Sequence, residues 1–209
     1  SLGDRVRTQY DTIWNLEERM KHHKITGVSI AVVDDFRIDW ARGYGWADAE
    51  EERLVTEKTL FQAASISKSL NGVGVLKLVQ DGKLDLHTDI NQYLRSWKFP
   101  YDSVSQGRPI TVNALLSHTA GLTIHGFPGY TRGDTLPSVQ QILDGEKPAN
   151  TRAVRSFIIP DTAVVYSGGG ITISQLIVTD VTGQPYDEYM QKNVLDPLGM
   201  KASSYRQPP

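Results

Sequence analysis

Phe61-Gln62-Ala63-Ala64-Ser65-Ile66-Ser67-Lys68-Ser69 joins a short apolar stretch to a run with helical spacing. The apolar positions Leu70, Val73, Leu76, Leu78 and Val79 predict a helix from Ser65 onward, and Gly82 stands where it should stop. Thr59-Leu60-Phe61-Gln62 reads as a short strand leading into it. Ser65 then opens the helix, and Lys68, three positions on, shares its face. A helix N-terminus offers unpaired N–H groups and the positive dipole end, which suit a developing oxyanion. A serine hydroxyl is a poor nucleophile until a neighbour takes its proton, and a lysine kept partly neutral can take it. With 15 Ser and 10 Lys in 209 residues, chance alone supplies roughly 0.7 such spacings. The tetrapeptide by itself therefore also fits an N-cap serine followed by a solvated lysine.

Towards the N-terminus, residues 4–24 predict a helix, with Val6, Tyr10, Ile13, Trp14 and Met20 on one stripe. Residues 27–33 are rich in β-branched side chains, and after Asp34-Asp35 come Phe36, Ile38 and Trp40 at period two. This predicts a β-hairpin, which Tyr44-Gly45-Trp46-Ala47 extends. Towards the C-terminus, helices are expected at 112–117 (capped by Thr111), 138–144, 170–182 and 185–194, with loops at 100–110 and 123–137. Two or three strands do not make a stable open sheet with two buried faces. Further strands are therefore expected from sequence beyond residue 209.

Hydrophobic residues make up 39% and charged residues 22%, an ordinary globular balance that argues against disorder and coiled coil. The net charge of −2 leaves no basic excess for phosphates, so no nucleic-acid partner is expected. The absence of cysteine removes disulfides, thiolate metal sites and thiol nucleophiles. No apolar run approaches the roughly 18 residues of a membrane span. No leader is visible in the polar residues 1–24; an exported protein would already have lost it.

Three further segments stand out. Tyr166-Ser167-Gly168-Gly169-Gly170 follows a short apolar run and opens an amphipathic helix. Its glycines allow close backbone approach, and a tyrosine among cations can act in proton transfer; a tight turn with a packed tyrosine is the plainer alternative. Leu115-Leu116-Ser117-His118-Thr119-Ala120-Gly121-Leu122 and Pro197-Leu198-Gly199-Met200 complete the set. In this order and spacing, the four segments resemble the serine β-lactamase-related family, which holds class C β-lactamases, penicillin-binding DD-peptidases and class C-like esterases. The resemblance runs from about Gly27 onward, and Tyr166 falls where the family's Y-x-N motif is expected.

The resemblance implies an α/β fold of the β-lactamase/DD-peptidase type, a sandwich of an antiparallel sheet and a mostly helical region. It implies that Ser65 is acylated, that Lys68 accepts its proton with help from Tyr166, and that the Ser65 N–H is one oxyanion donor. Three departures follow. Gly168 replaces the Y-x-N asparagine, which implies an altered substrate contact. The substrate-binding glutamine of class C enzymes has its nearest match in His125, which also fits a plain loop histidine. The K-T-G or H-x-G strand motif, with the second oxyanion donor, is absent.

Glu146 and Asn150 match a class A spacing without the accompanying Ser-Asp-Asn and read as loop, as does Arg132-Gly133-Asp134. His22 and His23 read as solvated, and the four tryptophans as packing residues. The expected organisation is an N-terminal helix and hairpin over 1–64, a mostly helical region over 65–184, and a return segment over 185–209 towards missing sheet strands. The expected function is acyl hydrolysis or transfer through a Ser65 acyl-enzyme on a β-lactam, a D-Ala-D-Ala peptide or a small ester, without cofactor or metal. The rival is a non-catalytic binding or scaffold homologue. The family implies a bacterial periplasmic or extracellular setting and a small-molecule or peptidoglycan-type substrate, and the strand deficit predicts a second chain or copy completing the sheet.

Overall fold

The computed structural model describes residues 6, 7 and 13–206. These fall into two compact units, residues 1–62 and 63–209.

In the first unit, β1 (Val6–Arg7) pairs antiparallel with β2 (Ile13–Trp14), and α1 spans Leu16–His22. The single helix expected over 4–24 is thus corrected. Tyr10, on its predicted stripe, lies outside the described residues. The helix starts where Asn15 caps it, its side chain accepting from the Glu17 and Glu18 N–H groups. The apolar spacing runs on upstream of that cap, but the backbone there is committed to a strand pair. Trp14 is part-exposed beneath the Arg19 guanidinium, 4.0 Å from the ring centroid, rather than in a core.

The hairpin is formed by β3 (Gly27–Asp34) and β4 (Arg37–Asp48), in the register Gly27↔Gly45 to Asp34↔Arg37 with a bulge at Val32/Val33. Asp35 and Phe36 make the two-residue turn, with φ of 44° and 59°. β5 (Arg53–Leu54) adds a third strand beside β4, giving the order β3-β4-β5. Val55 then crosses β4 so closely that a Cβ on Gly43 would stand 2.1 Å from its carbonyl oxygen. Among the described residues β3 pairs on one side only. The strand expected over 59–62 is not formed. Threonine turns take up the preceding backbone, with the Thr56 N–H donating to Thr59 Oγ1 at 2.9 Å and the Thr59 N–H to the Thr56 carbonyl at 3.2 Å.

The second unit is helical. It holds α2 (Ser67–Gln80), α3 (Val112–Leu116), α4 (Val139–Asp144), α5 (Gly168–Thr182) and α6 (Tyr186–Met190), the last running into a π-helical turn at Gln191–Leu195. Thr111 caps α3 and Ser138 caps α4 in a capping box with Gln141. α5 is the central element, buried nearly all round, and Ile173, Ile177 and Val178 pack in one core with Leu78, Leu115 and Met190. Trp97 is buried and donates from its indole to Asp144, which also pairs with Arg155 at 3.0 Å. The 123–137 stretch is loop, as are Glu146 and Asn150, whose amide donates to the Gly129 carbonyl.

One polar contact lies inside this core. Asn71 of α2 is 1% exposed, donates to Ser174 Oγ at 2.9 Å and accepts from the Tyr186 hydroxyl at 2.8 Å. Asn71→Ala should cost about 2 kcal/mol in denaturant unfolding, because the buried Ser174 hydroxyl and the part-buried Tyr186 hydroxyl both lose their partner. A change below about 0.5 kcal/mol would show that the bond contributes nothing net.

Candidate active site

Ala64–Ile66 form a single 3₁₀ turn ahead of α2, so Ser65 sits just before the helix rather than in its first turn. Ala64 has a φ of 45°, the left-handed region that a side-chain-bearing residue enters at a cost of about 1–2 kcal/mol. The turn presents Ser65 to solvent while Lys68, one turn on, is part-buried.

Two side chains converge on the Ser65 hydroxyl. Lys68 Nζ donates to Oγ at 3.0 Å, and the Tyr166 hydroxyl donates to the same oxygen at 2.8 Å. Lys68 Nζ also lies 5.1 Å from the Tyr166 ring centroid. Hydrogen bonding to Lys68, and then to Ser65, holds the Tyr166 phenol below its ordinary pKa by stabilising the phenolate. The arrangement can therefore pass the serine proton between an amine and a phenol.

The Tyr166 side is held by the loop that follows α3. Ser167 caps α5, its hydroxyl accepting from the Gly170 N–H and donating to the Thr123 carbonyl, both at 2.9 Å. The Gly168 and Gly169 N–H groups donate to the carbonyls of His125 and Ile124 at 3.1 and 3.0 Å. A Cβ on Gly168 would stand 3.1 Å from the His125 carbonyl oxygen and 3.3 Å from the Phe127 ring, so a larger residue there requires the loop to give. Gly168 and Phe127 line, with Ala64, Lys68 and Thr172, an open cavity of about 220 Å³ beside the serine.

The structure thus brings Ser65, Lys68 and Tyr166 together and places Gly168 on the adjoining cavity. His125 is exposed, and its Nδ1 is hydrogen-bonded to the Tyr166 carbonyl at 2.5 Å. Two residues without an expected role join the site. The His118 ring lies 4.6 Å from that of Tyr166, centroid to centroid, and Tyr205 donates from its hydroxyl to the Ser67 carbonyl at 2.6 Å. His118 lay within a motif already singled out, but nothing in the sequence joins Tyr205 to Ser67. Among the described residues no group of three or more His, Cys, Asp or Glu side chains is placed to hold a metal ion, and no helix is long and apolar enough to cross a membrane.

A family model described as Beta-lactamase matches residues 15–209. Protein flp of Staphylococcus aureus (strain MRSA252) is 29% identical over 209 residues, 99% of this chain and 40% of that protein. The octameric penicillin-binding protein homologue from Pyrococcus abyssi superposes with a TM-score of 0.71 at 26% identity, over 89% of this chain and 42% of the other. D-amino acid amidase from Ochrobactrum anthropi SV3, complexed with L-phenylalanine amide, gives 0.69 at 26%, over 88% and 48%. The chain therefore spans about two fifths to one half of the length of these relatives.

Proposed function

The chain belongs to the beta-lactamase family, and on that premise we propose that it carries the nucleophile half of a serine acyl hydrolase. The observation that carries this reading is the Ser65 oxygen with Lys68 Nζ at 3.0 Å and the Tyr166 hydroxyl at 2.8 Å. Ser65 Oγ attacks the acyl carbon, and its proton passes to the Lys68–Tyr166 pair. The pair returns that proton to the departing amine or alcohol. Water then repeats the sequence in reverse roles and frees Ser65. A phenol already biased towards phenolate lowers the cost of the first transfer.

The Ser65 N–H supplies one oxyanion donor. We place the second, with the K-T-G or H-x-G residues, on the part of the whole protein that this chain does not span. A strand along the free side of β3, from that part, another chain or a second copy, completes the sheet. His125 and Gly168 flank the acyl group, and Gly168 lines the cavity beside the serine. The substrate is a β-lactam, a D-Ala-D-Ala peptide or a small ester, met in a bacterial periplasmic or extracellular setting; the D-amino acid amidase among the similar structures supports small acyl substrates.

Treating the intact protein with a fluorophosphonate probe or a β-lactam should leave one covalent adduct, mapped by peptide mass spectrometry to Ser65. Protein that stays unmodified with both reagents, or is modified elsewhere, would sink the nucleophile assignment and favour a binding homologue.

A further inference from the structure

The peptide group between Tyr166 and Ser167 is gripped by a histidine at each end. Its carbonyl oxygen, which can only accept, lies 2.5 Å from His125 Nδ1, so that nitrogen carries the hydrogen. Its N–H donates to His118 Nδ1 at 3.3 Å, so that nitrogen is bare and the His118 hydrogen is on Nε2. One peptide thus accepts from one ring and donates to the other. The His118 ring also lies against the Tyr166 ring, tilted by 40°. Its own backbone is held in the left-handed region, φ 61°, with its carbonyl accepting from the Val165 N–H at 2.8 Å. The clamped peptide begins at Tyr166 and ends at the cap of α5, so turning it swings the phenol away from Ser65.

We propose that His118 and His125 are positioning residues that aim the Tyr166 hydroxyl at Ser65 through this peptide, and that protonation of His118 opens the clamp. The activity arm of this inference rests on the reading of Ser65 as a nucleophile; the clamp itself does not. An imidazolium at His118 would carry hydrogen on Nδ1, facing the Ser167 N–H with no acceptor between them. The titratable groups that face His118 are Lys68 from α2 and Tyr166 before α5. Partial burial, and then the Lys68 charge, hold the His118 pKa below its ordinary value. The neutral, closed form is therefore the one present at neutral pH. It is lost only as pH falls below the usual histidine range.

His118→Asn is the informative variant. Asparagine offers a carbonyl oxygen near the position of Nδ1, tolerates a positive φ, and takes up no proton. His118→Ala removes the acceptor. In the ¹⁵N-labelled intact protein at pH 7, ring-nitrogen spectra should show His118 unprotonated at Nδ1 and His125 protonated there. The Ser167 amide resonance should follow the His118 titration in the wild type and stay flat in His118→Asn. Fluorophosphonate labelling of Ser65 should fall about tenfold per pH unit below the His118 midpoint. His118→Ala should lose about 10–100-fold at pH 7, with His118→Asn recovering most of that and losing the His118 acid limb. A protonated His118 Nδ1 at pH 7, a Ser167 amide that titrates equally in His118→Asn, or an unchanged acid limb in that variant would each overturn the clamp. If both variants unfold, the wild-type ring spectra and Ser167 titration decide. If the wild type is never labelled, the nucleophile reading fails while the spectra still decide the clamp.

Discussion

Replacing Ser65 with alanine should abolish covalent labelling of the intact protein and any turnover of p-nitrophenyl acetate or nitrocefin, a loss on the order of 10⁴-fold or more. Ser65 is the serine whose oxygen receives both Lys68 and Tyr166. Without that oxygen the amine and the phenol have no proton to move and the acyl group no attachment. The fold should survive, because Ser65 is exposed and its hydroxyl anchors no core element. Stability within about 0.5 kcal/mol of the wild type is expected. Turnover persisting in Ser65→Ala at the wild-type rate would remove the residue from the chemistry.

Lys68→Ala and Tyr166→Phe should each slow acylation by about 10²–10⁴-fold, the usual range for a positioned proton acceptor. Phenylalanine keeps the ring that packs against His118 and removes only the hydroxyl, so its cost reports the proton path and not the packing. The phenol owes its lowered pKa chiefly to Lys68. Lys68→Ala should therefore raise it, and the two losses are coupled from the start. The double variant should be scarcely slower than the worse single variant, since one path is cut once. A double loss equal to the product of the two single losses would mean that the two groups act separately. Rates must be measured on the intact protein, with active-site titration to count competent molecules.

Much of this was legible in the residues. Alternation in 27–40 announced the hairpin, and Thr111 announced the start of α3, because strand pleat and N-cap chemistry are local. The Ser65–Lys68 pair was legible for the same reason, being one helical turn apart. The first helix starts later than its apolar spacing predicts because that spacing is blind to competition: Ile13 and Trp14 fit the stripe, yet Asn15 starts the helix after them. The expected strand over 59–62 failed similarly, since nothing in Leu60 or Phe61 reveals that Thr56 and Thr59 have already turned the chain. Sequence resemblance pointed Tyr166 towards Ser65, but the grip on its peptide was not legible. His118 and His125 lie 49 and 41 positions from their partners, and no local rule joins an imidazole to a backbone group so distant.

The surroundings of the nucleophile also carry a timetable. Tyr166 lies 101 positions after Ser65, and Tyr205, which holds the Ser67 carbonyl, lies 138 positions after that residue. At ordinary translation speeds the ribosome needs roughly 5–20 s to add the 101 residues that separate the serine from its phenol. Closing such long loops comes late in folding, after the local turns and helices have formed. The emerging polypeptide therefore displays Ser65 with Lys68 as its only partner, and the phenol joins the pair once α5 has been made and docked.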